Sequence, residues 1–343
     1  MTERAGLTVC GASLRADAYT CSQENAMCDT SRRKDLVGVN VAMPTFFKPD
    51  FSIDCEMIQT HTRFIVESGI RRGDGVLLCL GAGGESCHLT EDERVEVTRA
   101  MIEAADGAVP VVVGVTHNST MQAVRLAKEA DKLGAYGVQV APPYYFLHSA
   151  DEVFRHVKAI SEEIDIGISL YNIPYTCSVD MNVEFVSRCM ELGNVIGLKW
   201  YTPNLYLLRE MYLAMRDRVN IIDNVAVYTG PLGFILGAVG FASQTANFDP
   251  AGELELLRIM REKRYDQVYP QMSKLVMPYY DLRAEVIKSG ISGEGNFIKA
   301  MIDLIGRHGG PSRPPHVELP QDVRERFAKV IRDAGIAGRH NPN

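Results

Sequence analysis

One lysine stands in a stretch that otherwise reads as buried strand. Residues 195–200 are Val-Ile-Gly-Leu-Lys-Trp, a short run bounded by polar segments, with Lys199 near its C-terminal end. Desolvating an ammonium costs free energy, so burial there lowers the pKa and frees a nucleophilic amine. Such an amine can form a Schiff base with a ketone, and the iminium then stabilises a carbanion on the adjacent carbon as an enamine. Each bond made or broken in that way needs a proton moved. Tyr171, in Tyr171-Asn-Ile-Pro174, is a phenol that can relay one if a nearby cation depresses its pKa. The competing reading is a strand-end lysine that reaches out to solvent. Successive strand residues face opposite sides, so at most one of Lys199 and Trp200 points into a barrel.

These residues need a scaffold, and the chain shows one rhythm. Apolar strand candidates recur at 37–43, 75–80, 109–115, 137–142, 166–172, 195–200, 219–223 and 238–243. Helical patterns lie between and after them at 54–69, 91–105, 119–134, 150–164, 181–192, 203–216, 227–236 and 250–263. Thr90 with Glu93 makes a capping box, Ser149 precedes Asp151 and Glu152, and Gly69, Gly134 and Gly193 stand just past helix ends. Eight alternations with near-continuously apolar strands imply a parallel sheet buried on both faces and closed on itself, a (β/α)8 TIM barrel of the α/β class. A doubly wound open sheet fits less well, because no G-x-G-x-x-G follows the first strand. Helical patterns at 271–289, 293–306 and 320–334 add a C-terminal helical extension. The expected organisation is a polar N-terminal extension over 1–34, the barrel over 35–270 and the helical region over 271–343.

Composition excludes several functional classes. The 343 residues carry a net charge of -7 with acids and bases interspersed, so no basic face invites nucleic acid or an anionic membrane. No apolar run reaches transmembrane length, and Glu3, Arg15 and Asp17 interrupt any signal-peptide core, so a cytoplasmic location is expected. None of the eight cysteines forms a C-x-x-C pair, and the histidines show neither H-x-x-x-H nor H-E-x-x-H spacing. No metal and no cofactor is expected from these patterns.

In such a barrel the reactive groups stand at the C-terminal ends of the strands. That rule gathers Thr45, Phe46 and Phe47 after strand one, Gly81-Ala82-Gly83-Gly84-Glu85-Ser86 after strand two, and His117 after strand three. Tyr145 follows strand four, Tyr171 and Lys199 end strands five and six, and Ser243 ends strand eight. The pairing of Gly83 with Gly84 lets backbone N–H groups approach a carboxylate closely. His117 is a candidate acid, base or binding group on its pKa range. Ser243 and Thr45 are candidate lining residues, and Glu85 reads as a brace for its loop.

The runs Gly81-Ala-Gly-Gly-Glu-Ser86 with Leu89-Thr90, Pro143-Tyr-Tyr145, Tyr171-Asn-Ile-Pro174, Ile196-Gly-Leu-Lys199 and Gly240-Phe-Ala-Ser243 resemble the dihydrodipicolinate synthase and N-acetylneuraminate lyase family of class I aldolases. They occur in that family's order over about residues 36–300. The resemblance implies a barrel with C-terminal helices, a homo-oligomer (dimer or tetramer), and a small 2-oxo acid substrate such as pyruvate held as a Schiff base. By position it makes Lys199 the imine lysine, Tyr171 the proton shuttle, Tyr145 the tyrosine lent to a neighbouring subunit, and Ala82, Gly83 and Gly84 the loop that holds the carboxylate.

Two departures shape the expected activity. Ala82 and Gly83 stand where the synthases have paired threonines, which removes a hydroxyl relay. Tyr175-Thr176-Cys177-Ser178 replaces the segment bearing the arginine that clamps the second substrate. The expectation is therefore a lyase that cleaves or forms a C–C bond beside a 2-oxo acid. A rim of Phe46, Phe47, His117, Tyr175, Trp200 and Tyr201 would suit an aromatic or bulky partner. A dehydratase or hydratase-aldolase using the same imine, and a non-catalytic binding barrel, are the alternatives.

Overall fold

A computed structural model describes residues 30–174, 177 and 179–337. Eight strands, β1 Gly38–Ala42, β2 Gly75–Cys79, β3 Val111–Gly114, β4 Gly137–Val140, β5 Gly167–Asn172, β6 Val195–Trp200, β7 Asn220–Asp223 and β8 Gly240–Ser243, pair in parallel in chain order. β8 returns to β1, with Gly38 opposite Gly240 and Val41 opposite Ser243, so the sheet closes and leaves no edge. The helices are α1 Thr30–Arg33, α2 Cys55–Glu67, α3 Glu91–Ala105, α4 Thr120–Lys132, α5 Ala150–Ser161, α6 Val183–Met190, α7 Leu205–Met215, α8 Ala226–Leu236, α9 Pro250–Arg261, α10 Val268–Met272, α11 Val276–Lys288, α12 Gly295–Leu304 and α13 Gln321–Asp333. The TIM barrel and its C-terminal helices are as the alternation implies. None of the described helices is long and apolar enough to cross a membrane.

Local chemistry sets the helix ends. Thr90 and Ser149 accept from the N–H groups of Glu93 and Glu152, whose carboxylates reach back, so both capping boxes form. The C-terminal pattern at 271–289 is two helices, because Pro278 has no N–H for the carbonyl of Lys274 and its ring would collide with it. At the other end the polar extension gives way earlier than residue 34. α1 lies on the barrel base, where Tyr136 donates its hydroxyl proton to the Arg32 carbonyl and Asn220 Nδ2 donates to Arg33 O at 2.6 Å. Cys10, Cys21 and Cys28 lie outside the described residues.

The barrel buries apolar side chains on both faces. The outer faces of the strands pack under the helices in one large cluster, whereas Leu36, Val76, Leu78, Val112 and Ile196 fill the base of the lumen. A third cluster, including Phe248, Tyr279, Phe297 and Phe327, joins the C-terminal helices to one another.

One irregularity in this frame decides where Lys199 points. β5 advances one residue from Ile168 to Ser169 while β6 advances two, from Val195 to Gly197, so Ile196 is an extra residue in β6. Val195 joins the outer cluster, but Ile196 sits in the lumen over Gly167. Gly197 also faces the lumen, where an added Cβ would lie 2.2 Å from Leu36 and 3.1 Å from the Ser169 hydroxyl. Leu198 and Trp200 then return to the outer cluster, and Lys199 faces inward. An unbroken alternation from Ile196 would have put Leu198 and Trp200 in the lumen and Lys199 under the helices.

Overpacking at this bulge is expected to destabilise the barrel. Gly197→Ala should cost about 1–3 kcal/mol in denaturant unfolding. The same substitution in a Leu36→Ala background should cost clearly less, since the methyl group it strikes is gone. Equal costs in the two backgrounds would mean that Gly197 does not face Leu36.

Candidate active site

Lys199 is 5 % exposed, opposite Tyr171 in the β5–β6 register, and its Nζ lies 5.4 Å from the Tyr171 ring centroid. Burial pulls its pKa down to about 8, opposed by the charge of Glu294. The shift is large enough to matter. At pH 7.5 about a quarter of such amines are uncharged, against about one in a thousand at an unperturbed pKa. Trp200 turns the other way and donates Nε1–H to Met181 O at 3.0 Å.

The loop after β2 is folded tightly on the end of β1, where a Cβ on Gly83 would lie 3.4 Å from Ala42 O. Gly84 N donates to Gly81 O and Glu85 N to Ala82 O, each at 3.1 Å, so the Gly84 amide is consumed by a turn. The N–H groups of Ala82 and Gly83 carry no hydrogen bond to the described residues. Glycine is needed here for space, since a Cβ on Gly84 would lie 3.0 Å from the Leu80 backbone. Thr45, fully buried, donates its hydroxyl to Gly84 O at 2.7 Å and so braces the loop.

Glu85 is a brace, as its sequence position suggests. Its carboxylate pairs with buried Lys299 of α12, and Lys299 Nζ also donates to Thr45 O at 3.2 Å and Pro311 O at 2.8 Å. The C-terminal region therefore builds the mouth of the barrel and is more than an appendage. It also supplies Glu294, the acidic neighbour of Lys199, whose carboxylate accepts from Arg283 at 3.4 Å. Nothing in local spacing marks Glu294, because it reaches the site from the far end of the chain.

Other expectations are corrected. Phe46 and Phe47 are 1 % exposed, Phe46 edge-on to His61 at 5.2 Å and Phe47 beneath Lys299 and Arg313, so neither forms an aromatic rim. Trp200 and Tyr201 are buried too, and Tyr175 lies outside the described residues along with Thr176 and Ser178. Ser243 does not line the lumen with its hydroxyl. That group accepts from Ala246 N at 2.9 Å and meets the Thr245 hydroxyl, which in turn donates to Glu253 of α9. His117 is engaged locally, its Nδ1 accepting from Ser119 N at 2.9 Å and its Nε2 facing Glu91 at 3.7 Å. Tyr145, expected to be lent to a neighbouring subunit, is not among these corrections: it is 87 % exposed with φ of 84° and its ring edge-on to Phe146.

The family model described as the dihydrodipicolinate synthetase family matches residues 35–334. The chain belongs to that family. It is 38% identical over 308 residues to the 4-hydroxy-tetrahydrodipicolinate synthase of Thermotoga petrophila, covering 87% of this chain and 99% of that one. The enzyme of the same name from Archaeoglobus fulgidus is 29% identical over 295 residues, covering 86% and 97%. Among solved structures, the chloride-inhibited dihydrodipicolinate synthase from Acinetobacter baumannii complexed with pyruvate superposes with a TM-score of 0.78 at 25% identity, covering 88% of this chain and 99% of that one. As a member of the dihydrodipicolinate synthetase family the protein is a lyase of the class I, pyruvate-dependent aldolase type.

The charge environment of Lys199 gives a direct test. Competitive labelling with a small amine reagent, read residue by residue by mass spectrometry, should show Lys199 reaching half its maximal reactivity near pH 8. Glu294→Gln should move that midpoint lower, because it removes the carboxylate that favours the ammonium. A midpoint near that of the exposed lysines would contradict a desolvated amine.

Proposed function

We propose that the protein acts on a 2-oxo acid of pyruvate type through an imine at Lys199, with Tyr171 moving the protons and the Ala82 and Gly83 amides taking the carboxylate. The observation that carries this reading is the inward-facing, desolvated Lys199 set level with Tyr171. The uncharged amine adds to the ketone carbon, and Tyr171 protonates the departing hydroxyl so that water leaves and an iminium remains. In cleavage the Tyr171 phenolate takes the proton of the substrate's hydroxyl, the bond between the hydroxyl-bearing carbon and the carbon next to the iminium breaks, a carbonyl compound leaves, and Tyr171 returns the proton to the enamine carbon. Addition runs the same steps in reverse. Hydrolysis of the product iminium returns the free lysine.

The sequence departures narrow the chemistry. Positions 82 and 83 carry no hydroxyl, and the Thr45 hydroxyl is committed to Gly84 O, so Tyr171 works without a relay through this loop. One proton carrier suits a single aldol cleavage or addition, which moves one proton beyond imine formation, better than a multistep dehydrating cyclisation. The absence of the substrate-clamping arginine in segment 175–178 argues in the same direction.

Incubation with pyruvate and borohydride should leave a reduced adduct on the peptide containing Lys199, and Lys199→Ala should abolish both adduct and turnover. Tyr171→Phe should lower kcat by about 10²–10⁴-fold, the range for loss of an acid–base group, while still allowing slow trapping. An adduct on another lysine, or full turnover by Tyr171→Phe, would overturn these assignments. A panel of 2-oxo acids in the same trap reads the preferred substrate.

A further inference from the structure

Behind the carboxylate loop three side chains converge that the imine chemistry does not use. Glu85 and His88 come from the connection after β2, and His316 comes from the connection between α12 and α13. Glu85 Oε2 lies 3.7 Å from His88 Nδ1 and 3.7 Å from His316 Nδ1. The two imidazoles meet edge-on, with ring centroids 4.4 Å apart, and one donor atom from each of the three residues lies within 4.8 Å of the others. Glu85 Oε2, His88 Nδ1 and His316 Nδ1 are each buried without a hydrogen-bond partner among the described residues.

A buried polar atom without a partner is costly, and three facing one another is a pattern that calls for an occupant. The Glu85 side chain is fully buried, and its other oxygen, Oε1, is held by Lys299 and lies 3.4 Å from the Ser312 hydroxyl. Oε2 is thereby aimed at the two rings. At 3.7 Å the contacts are too long for hydrogen bonds. They are only a few tenths of an ångström wider than the separation of about 3.4 Å between ligands of a tetrahedral ion with bonds of about 2.1 Å. Burial and the neighbouring His316 lower the pKa of His88, against the opposing charge of Glu85. We propose that Glu85, His88 and His316 form a binding site for one borderline divalent cation, zinc or cobalt in type, with water completing the shell.

The donor set selects the metal. Two imidazoles and one carboxylate suit zinc, cobalt or nickel, whereas calcium and magnesium want oxygen ligands throughout. Two cations bear on the site. Lys299 is paired with Oε1, and Arg313 donates to the His88 carbonyl at 3.1 Å while pairing with Glu93. Their charges weaken cation binding relative to a thiolate-rich structural site. Their hydrogen bonds also fix the ligands in place, as outer partners of a metal site do. A bound ion would pin the Gly81–Glu85 loop to the segment around His316, a clamp whose existence does not depend on which lysine forms the imine.

The test uses the full chain with cobalt(II) alone as the probe, followed by displacement with zinc. One cobalt per chain with a tetrahedral ligand-field band, lost with at least about tenfold weaker binding in His88→Gln and in His316→Gln but retained in Cys87→Ser, is the expected result. X-ray absorption of the zinc-loaded unsubstituted protein keeps the test independent of how those variants fold, and should show imidazole scattering without sulfur. The absence of stoichiometric uptake, uptake that survives both histidine substitutions, or sulfur in the metal shell would each overturn the proposal.

Discussion

The extra residue in β6 is the constraint on which the site depends. Strand side chains alternate with a period of two, so one inserted residue reverses every assignment beyond it. Ile196 and Gly197 both occupy the lumen, and only because of that does Lys199 follow Tyr171 inward while Leu198 and Trp200 stay under the helices. Gly197 is tolerated there because it has no side chain to meet Leu36. The lysine then lies in surroundings dry enough to bring its pKa to about 8, with the charge of Glu294 limiting the fall.

Rigidity around this amine comes from the chain's far end. Burying two opposite charges costs desolvation free energy that close pairing alone need not offset. The Glu85–Lys299 pair adds hydrogen bonds from Lys299 to Thr45 O and Pro311 O. Thr45 holds Gly84 O in turn, so the C-terminal helices and the first two barrel loops form one hydrogen-bonded unit. Amides preset in this way can receive a carboxylate without reorganising, which is how a fixed dipole contributes most.

Much of this was legible in the amino-acid order. The eight apolar strands, both capping boxes and the glycines past helix ends are local signals, and each corresponds to an element in the fold. The inward choice between Lys199 and Trp200 was not legible, because a bulge leaves the residue pattern ambiguous between two phases. The aromatic rim fails for a related reason: Phe46 and Phe47 follow a strand end, yet the chain folds Phe46 against His61 and Phe47 under Lys299 and Arg313, distant residues of the C-terminal region. Ser243 sits at a strand end too, and its hydroxyl serves the following turn. Glu294 and His316 come from beyond the barrel repeat, where no spacing rule connects them to Lys199 or His88. The break before α11 could have been read from Pro278.

A crystal structure of the protein soaked with pyruvate decides whether Lys199 is the inward nucleophile. Continuous density is expected from Lys199 Nζ to the ketone carbon, inside the lumen and facing Tyr171. A Lys199 side chain lying under the helices beside Leu198, or pyruvate bound without a covalent link to it, would show that it is not.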